Sequence, residues 1–228
     1  MTTFTTEDRI IAEKDGSFTV NVDGGSIQQG TAEWLAERLG HVTASRITDV
    51  LAKGKSGEAK TRESYRWELV GQRMTGILKD SFTNKAMEHG TATEPEARIH
   101  YEVTHGVFVD EVGFIKHPTI KWVGASPDGL VGDEGGLEIK CPNTDTHLQT
   151  VASGKIPAKY IGQVQMGMWV TGRKWWDFVS YDPRIQQKNL RYFCVRVMRD
   201  EEYIANMERE ALLFLSEIET VINNLGGE

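Results

Sequence analysis

The spacing of apolar residues predicts helices over much of the first and last thirds of the chain. The first expected helix covers 31–39. The second is capped by Thr43 or Ser45 and ends near Lys53, and the third runs from Thr61, its cap, to about Ile77. The remaining expected helices are 83–105, 144–152, 157–171 and the segment after Asp200. Gly40 should stop the first helix, and Pro95, which lacks an N–H, should start or bend the fourth. The last helix has an apolar stripe formed by Ile204, Met207, Ala211, Leu215, Ile218, Ile222 and Leu225.

The middle of the chain has short β-branched runs separated by turn residues, a pattern typical of consecutive strands. The predicted strands are 107–115, 121–126, 136–140, 175–181 and 190–198. Turns are expected at Pro127-Asp128-Gly129 and across 132–136. Helices on both sides of a central mixed sheet predict an α/β or α+β fold. We expect one domain over 1–228, with 1–30 as a strand or extended arm.

Composition restricts the class of protein. With 228 residues, 39% of them hydrophobic, and six tryptophans, the chain has enough apolar material for a substantial core. Its apolar stretches are shorter than the roughly 18–20 residues of a membrane span, and its N-terminus lacks a secretory pattern. Cys141 and Cys194 are far apart, which excludes a metal cluster held by cysteines and favours a reducing cytoplasm.

The net charge of −7 does not by itself indicate a nucleic-acid-binding protein, whose binding surface is usually basic. It does not exclude one either, because DNA responds to the local charge of a surface and not to the sum over the chain. A carboxylate metal site would also add negative charge of its own.

The residues that carry chemistry are concentrated around Asp128 and Glu138. Glu138 and Lys140 lie two apart on a predicted strand, so they share one face, while Ile139 faces the core. Asp128 lies ten residues before Glu138, and a hairpin between them would place the two acids side by side. Two carboxylates and a backbone carbonyl suit a hard cation such as Mg²⁺ or Mn²⁺, and the lysine would orient a water molecule or neutralise developing charge.

A simpler interpretation is a surface turn followed by an exposed Glu/Lys pair on an edge strand. Pro-Asp-Gly is common in turns, and either half of the pattern alone would favour this interpretation. The two halves together, at this spacing, favour a metal-dependent hydrolase.

Asp128, Glu138 and Lys140, with Pro127, resemble the PD-(D/E)xK nuclease motif. More narrowly, the chain resembles the phage lambda exonuclease and the related YqaJ-type viral recombinases over roughly residues 30–210. The matching segments, in the family's order, are Arg38-Leu39-Gly40, Thr43-Ala44-Ser45, Gly90 followed by Glu94, Ser126-Pro127-Asp128-Gly129, Leu137-Glu138-Ile139-Lys140-Cys141-Pro142, Gln163-Val164-Gln165, Met168-Trp169-Val170-Thr171 and Tyr181-Asp182-Pro183-Arg184. Residues 1–30 match poorly.

The resemblance implies a restriction-endonuclease-like fold and a Mg²⁺-dependent 5′→3′ exonuclease that acts on the ends of double-stranded DNA and leaves 3′ overhangs. It also implies a ring-shaped homotrimer, a phage single-strand annealing protein as partner, and a phage or prophage gene expressed in a bacterial host. A trimer with a basic lumen and an acidic exterior would reconcile DNA binding with the negative net charge.

The resemblance also assigns roles in the metal site. Asp128, Glu138 and the carbonyl of Ile139 would hold metal, and Lys140 would be the catalytic lysine. Glu94 matches an acidic residue that the family supplies from a helix to a second metal position. Glu96 lies two residues away, and only one of the two can serve; alternatively, Glu94 is a carboxylate favoured at the start of a helix.

Further positions match DNA contacts of the family. Arg38, Ser45, Ser126 and Gln163 correspond to residues that grip the terminal 5′ phosphate, although Ser45 also suits a helix cap and Arg38 a solvated helix end. Candidate contacts along the DNA are Lys53, Lys55, Met87 and Tyr160. A solvated loop for the two lysines and an ordinary core or surface role for Met87 remain open.

Two other functions fit the sequence less well. A restriction-type endonuclease has no need of a pocket for a terminal phosphate, which argues against it. A non-catalytic DNA-binding recombination protein would be expected to have lost an acid or the lysine, and all three residues are present.

Overall fold

The computed structural model describes residues 9–12, 18–21, 27–78 and 85–226. Within the expected arm, β1 (Arg9–Ala12) and β2 (Phe18–Asn21) pair as an antiparallel hairpin. The remaining residues of 1–26 lie outside the described part of the chain.

Seven helices are present in the described ranges. They are α1 (Ala32–Arg38), α2 (Ile47–Val50), α3 (Lys60–Thr75), α4 (Lys85–His105), α5 (Thr144–Ser153), α6 (Ala158–Thr171) and α7 (Glu201–Asn224). The hydroxyl of Thr31 caps α1 by accepting a hydrogen bond from the Trp34 amide at 3.2 Å, and Asp200 caps α7 in the same way. None of the described helices is both long enough and apolar enough to cross a bilayer.

Some predicted helix starts are wrong. Thr43 is followed by a 3₁₀ turn, Ala44–Arg46, that leads into α2, and neither Thr43 nor Ser45 caps it with a side-chain hydrogen bond. Helix α3 starts one residue before Thr61, so this threonine lies inside the helix and caps nothing.

Other boundaries also differ from the prediction. Helix α2 ends at Val50 and not near Lys53, and α3 ends at Thr75, where Gly76 takes a left-handed conformation with φ of 68°. Pro95 lies inside α4 and does not start it. Leu225 follows the end of α7 and is 56% exposed, so it does not belong to the buried stripe of that helix.

Apart from the β1–β2 hairpin, the described strands form a mixed arrangement, as predicted, but in two sheets. β3 (Val42–Thr43), β5 (Val123–Ala125) and β4 (Ile115–Lys116) form the first, in that spatial order, with β3 and β5 parallel. The second is β6 (Gly129–Val131), β7 (Gly135–Lys140), β8 (Trp175–Tyr181) and β9 (Tyr192–Met198), with β7 and β8 parallel and the outer pairs antiparallel.

The predicted strand 107–115 is wrong except at its last residue. The amide of Val109 donates to the carboxylate of Glu102 in α4 at 2.8 Å, which ties this segment to the helix. Asp110 alone forms a bridge, exchanging two backbone hydrogen bonds of 2.9 Å with Leu130 of β6. The segment therefore runs beside the beginning of β6.

The two faces of the second sheet contact different helices. Leu137 and Ile139 of β7 pack with Ala97 and Tyr101 of α4 in one buried cluster. Trp176, on the opposite face of the neighbouring strand, belongs to a larger cluster that includes residues of α6 and α7. Since side chains alternate along a strand, Glu138 and Lys140 lie on the face that carries α6.

Candidate active site

Asp128 is held against β7 by the hairpin that the sequence predicted. β6 and β7 pair in antiparallel register with Gly129 opposite Leu137, and Asp128 lies immediately before β6. Its amide donates to the Leu137 carbonyl at 3.2 Å, and its carboxylate Oδ2 accepts from the Ile139 amide at 2.6 Å. The hairpin therefore fixes both the backbone and the carboxylate of Asp128.

Glu138 and Lys140 lie together, as their spacing predicted. The ammonium of Lys140 donates to Oε1 of Glu138, and the side-chain amide of Gln163 in α6 donates to the same oxygen. Glu138 is only 3% exposed, so the carboxylate is buried among its partners. Gln163 is thus placed at the carboxylate of Glu138.

The structure distinguishes the two glutamates of α4. Glu94 is half-buried and interacts electrostatically with Asp128, Lys140 and Arg98, whose Nη2 lies 3.5 Å from its Oε1. Glu96 is exposed and accepts a hydrogen bond of 2.7 Å from the Tyr181 hydroxyl. Of the two, Glu94 is the one that faces the acids of the β6–β7 hairpin.

Burial raises the pKa of each of the three carboxyl groups, and the charge of Asp128 adds to the rise for Glu94 and Glu138. Burial, followed by the charge of Asp128, raises the pKa of Glu94 to about 7. Burial likewise raises the pKa of Glu138 to about 8, against the opposing effect of Lys140, and it raises the pKa of Asp128. Burial acts to lower the pKa of Lys140, but the nearby carboxylates outweigh it and raise this pKa above its usual range. Confined carboxylates of this kind attract a cation.

The donor set fits a hard divalent cation in its chemistry, because the candidate ligands are carboxylate and carbonyl oxygens. The side chains are not gathered as a ready ligand set: within the described residues, no three His, Cys, Asp or Glu side chains are grouped to hold a metal ion. Glu138 instead pairs with Lys140 and Gln163. An ion bound to Glu138 would compete with these two partners.

Arg38 and Ser126 form a second part of the site. The guanidinium of Arg38 donates to the Ser126 hydroxyl at 2.9 Å, as does the Trp34 indole at 3.1 Å. Arg38 also stacks on the Trp34 ring, 4.3 Å from its centroid, and burial lowers its pKa. Arg38 is therefore half-buried and pointed at the strand that leads to Asp128, so it is not a solvated helix end.

Ser45 lies in a different setting. It is exposed, and its hydroxyl lies 3.4 Å from that of Thr43. The 3₁₀ turn Ala44–Arg46 that contains it packs against α6, the helix of Gln163. The structure shows no hydrogen bond from Ser45 to Arg38 or Ser126.

The four candidate DNA contacts lie in different parts of the structure. Tyr160 stacks on Phe178 with ring centroids 5.3 Å apart, and Lys140 Nζ lies 5.6 Å from its ring centroid, so Tyr160 borders the site. Lys53 and Lys55 are exposed in the loop before α3. The backbone of Met87 is in α4, and its side chain lies outside the described part of the chain.

Sequence reasoning missed two residues next to the site. The side-chain amide of Gln29 donates to the Pro127 carbonyl at 2.6 Å and to that of Val112 at 3.0 Å, supporting the backbone just before Asp128. Nothing local in the sequence marks Gln29. The second is Arg98, which a search for acid–base pairs four apart on a helix would have found from Glu94.

Comparison with known proteins identifies the family of this chain. The YqaJ-like viral recombinase domain matches residues 33–174, more than half of the chain. A protein of Escherichia coli K12 described as putative uncharacterized protein ExoD is 34% identical over 71 residues, which are 31% of this chain and 79% of that protein.

Solved structures extend the likeness to the fold. LHK-Exo, an alkaline exonuclease from Laribacter hongkongensis crystallised in complex with dAMP, is 51% identical, with a TM-score of 0.81 over 86% of this chain and 96% of that one. A phage-related exonuclease from Haemophilus somnus 129PT is 17% identical, with a TM-score of 0.65 over 81% and 96% of the two chains. At that identity, the second likeness supports the fold alone.

Proposed function

The chain belongs to the YqaJ-like viral recombinase family, and we propose that it is a Mg²⁺-dependent exonuclease that degrades the 5′-ended strand of linear duplex DNA. The product would carry a 3′ single-stranded overhang. The family and its exonuclease relatives support a DNA nuclease. One observation supports the 5′ polarity. Ser126, to which Arg38 donates, lies two residues before Asp128, so a terminal phosphate bound by Arg38 and Ser126 would lie beside the acids.

In this proposal Asp128, Glu138 and the Ile139 carbonyl hold one Mg²⁺, and Glu94 serves a second position; Mn²⁺ would substitute. Held by these residues, a divalent ion would supply a more acidic bound water and would offset negative charge on the scissile phosphate. Lys140 stays protonated because the carboxylates around it raise its pKa. It therefore acts as a cation and hydrogen-bond donor towards the water or phosphate, and not as a general base.

The remaining residues hold the substrate. Arg38 and Ser126 would bind the 5′ phosphate, whose extra charge distinguishes a strand end from an internal phosphate. Gln163 has two amide hydrogens, and only one is used by Glu138, so the other is available to the same phosphate. Ser45 and Tyr160 would border the bound strand, with Lys53, Lys55 and Met87 further along the DNA.

The polarity is tested by digesting linear duplexes that carry either a 5′ phosphate or a 5′ hydroxyl, in Mg²⁺ and in EDTA. We expect faster digestion of the phosphorylated duplex, no digestion in EDTA, and an intact closed circle. Arg38→Ala should reduce the preference for the 5′ phosphate about tenfold or more, since a charge-assisted hydrogen bond contributes about 1.5–3 kcal/mol.

Arg73→Ala is the matched control. Arg73 also stacks on a tryptophan, 4.5 Å from the ring centroid of Trp122, but it donates to the backbone of Gly40 and not to Ser126. It should keep the preference for 5′ phosphate. Equal rates on both duplexes with the unsubstituted protein would refute the phosphate pocket, and cutting of the circle would favour an endonuclease.

The assembly and partners belong to the same proposal. We expect a homotrimer around the DNA, acting with a phage-type single-strand annealing protein in the cytoplasm of a bacterial host. Light scattering on the purified protein checks the first point, because a trimer has about three times the chain mass of 25.6 kDa.

A further inference from the structure

Arg98 lies between the site and a surface carboxylate. It is four residues after Glu94 on α4, and its side chain is only 13% exposed. Its Nη2 lies 3.5 Å from Glu94 Oε1, and its Nη1 pairs with Oε1 of Glu111. The guanidinium also acts electrostatically on Asp128. One buried cation therefore influences two proposed metal ligands.

Glu111 is placed by the backbone pairing of its neighbour. Asp110 exchanges two hydrogen bonds of 2.9 Å with Leu130, so the segment that carries Glu111 is fixed alongside β6. The side chain of Glu111 is 69% exposed, so it reaches Arg98 from the solvent side. The order across the molecule is thus Glu111, Arg98, Glu94.

The Nε atom of Arg98 is buried and has no hydrogen-bond partner among the described residues. Burial removes hydrating water from the Arg98 guanidinium, which costs free energy. Its ion pairs with Glu111 and Glu94 offset that cost. Without Arg98, the Glu94 carboxylate, whose side chain is 33% exposed, would be free to turn to solvent and away from the negative charge of Asp128.

We propose that Arg98, anchored by Glu111, is a positioning residue that holds the Glu94 carboxylate towards Asp128 and thereby sets the affinity for the divalent ion. The inference rests on the proposed function, since it treats Glu94 as a metal ligand. Glu111 has two effects in the same direction: it fixes the guanidinium, and it neutralises a positive charge that would otherwise repel the ion.

The test is calorimetric titration of Mn²⁺ into EDTA-treated protein, together with the Mg²⁺ dependence of DNA digestion. Arg98→Gln should weaken Mn²⁺ binding about 10–100-fold, the range found when a residue that orients a metal ligand is removed. Arg98→Lys, which keeps the charge but lacks the fork that reaches two carboxylates, should weaken it less. Excess Mg²⁺ should restore much of the kcat of Arg98→Gln, with KM for DNA little changed.

Glu111→Gln keeps the test valid if Arg98→Gln does not fold. Because Glu111 is exposed, its substitution should preserve the fold and still weaken Mn²⁺ binding severalfold. Arg62→Gln is the matched control: Arg62 is an 11% exposed arginine that pairs with Glu58, four residues earlier on the chain, and with Glu217. It should lower the melting temperature without changing Mn²⁺ affinity.

The outcomes separate this inference from the proposed function. If the unsubstituted protein binds Mn²⁺ and digests DNA while Arg98→Gln and Glu111→Gln bind Mn²⁺ as tightly as it does, the positioning role is wrong and the nuclease assignment stands. Tighter Mn²⁺ binding by either variant also overturns it. If the unsubstituted protein neither binds Mn²⁺ nor digests DNA, the proposed function fails, and the inference fails with it.

Discussion

The neighbours of Lys140 keep its side chain protonated. Its ammonium donates to Glu138, and the charges of Glu138 and Asp128 outweigh the effect of burial and raise its pKa. Tyr160 covers one side, with its ring centroid 5.6 Å from the nitrogen. A lysine in this setting is oriented before a substrate arrives, so its contribution to the transition state needs little reorganisation.

Replacing Lys140 with alanine should lower kcat for DNA digestion about 100–1,000-fold, the cost of losing one preorganised donor at a developing charge. DNA affinity should change little, because the phosphate contacts of Arg38 and its neighbours remain. Single-turnover digestion and a binding titration in Ca²⁺ measure the two quantities. The control is Lys174→Ala, an exposed lysine paired with Glu134. Full turnover by Lys140→Ala would refute the catalytic role.

At the residue scale, local rules predicted the hairpin geometry well. The alternation of side chains along β7 placed Glu138 beside Lys140, and the turn at 132–136 returned the chain to Asp128. Local rules could not decide which of Glu94 and Glu96 faces the site, because this depends on how α4 is rotated about its axis against the sheet. That rotation is set by the packing of Ala97 and Tyr101, which are distant in sequence from their partners.

At the element scale, the strand predicted at 107–115 is wrong because most of this segment does not pair with another strand. The run 107–115 has strand-like composition, but Val109 bonds to a side chain of α4 and only Asp110 bridges β6. Helix α4 also continues through Pro95, so the proline does not mark its start. Helices with a continuous apolar stripe, such as α7, were predicted within a few residues because their own periodicity determines their buried face.

The link between β8 and α5 makes stability depend on pH. Asp182 follows β8 and is fully buried, and it accepts hydrogen bonds from Arg184 and from Thr144, the first residue of α5. Burial acts to raise its pKa, but these bonds outweigh it and lower the pKa to about 2. A lowered folded-state pKa means that the stabilisation is complete above the ordinary pKa of 3.8 and is lost as the pH falls from about 4 to 2.

Asp182→Asn should therefore destabilise the protein by about 2 kcal/mol at pH 7, through lost charge-assisted hydrogen bonds. The free energy of unfolding of the variant should also fall less steeply between pH 4 and pH 2 than that of the unsubstituted protein. Urea denaturation followed by tryptophan fluorescence across this range measures both effects. Parallel pH profiles for the two proteins would show that Asp182 is not responsible.

At the scale of the whole molecule, the negative net charge has to be reconciled with a DNA substrate. The net charge of the chain is −7, so duplex DNA is repelled by the average surface at long range. Binding must come from a local concentration of cations, and the Arg38–Ser126 pair and Lys140 supply only a small part of it. A ring would bring these cations from several copies around one duplex, and it would also keep the enzyme on its substrate.

Processive digestion is the consequence that separates a ring from a single chain acting alone. When digestion of a labelled duplex has started, a large excess of unlabelled duplex should leave the ongoing reaction unaffected, because an encircling enzyme cannot exchange between DNA molecules. Raising the salt concentration should reduce initial binding steeply, since bound cations release condensed counterions. The higher salt concentration should have much less effect on the digestion rate of duplexes that the enzyme has already bound. Digestion that stops when the unlabelled duplex is added, with a single-chain mass by light scattering, would contradict the ring and leave the acidic surface without this explanation.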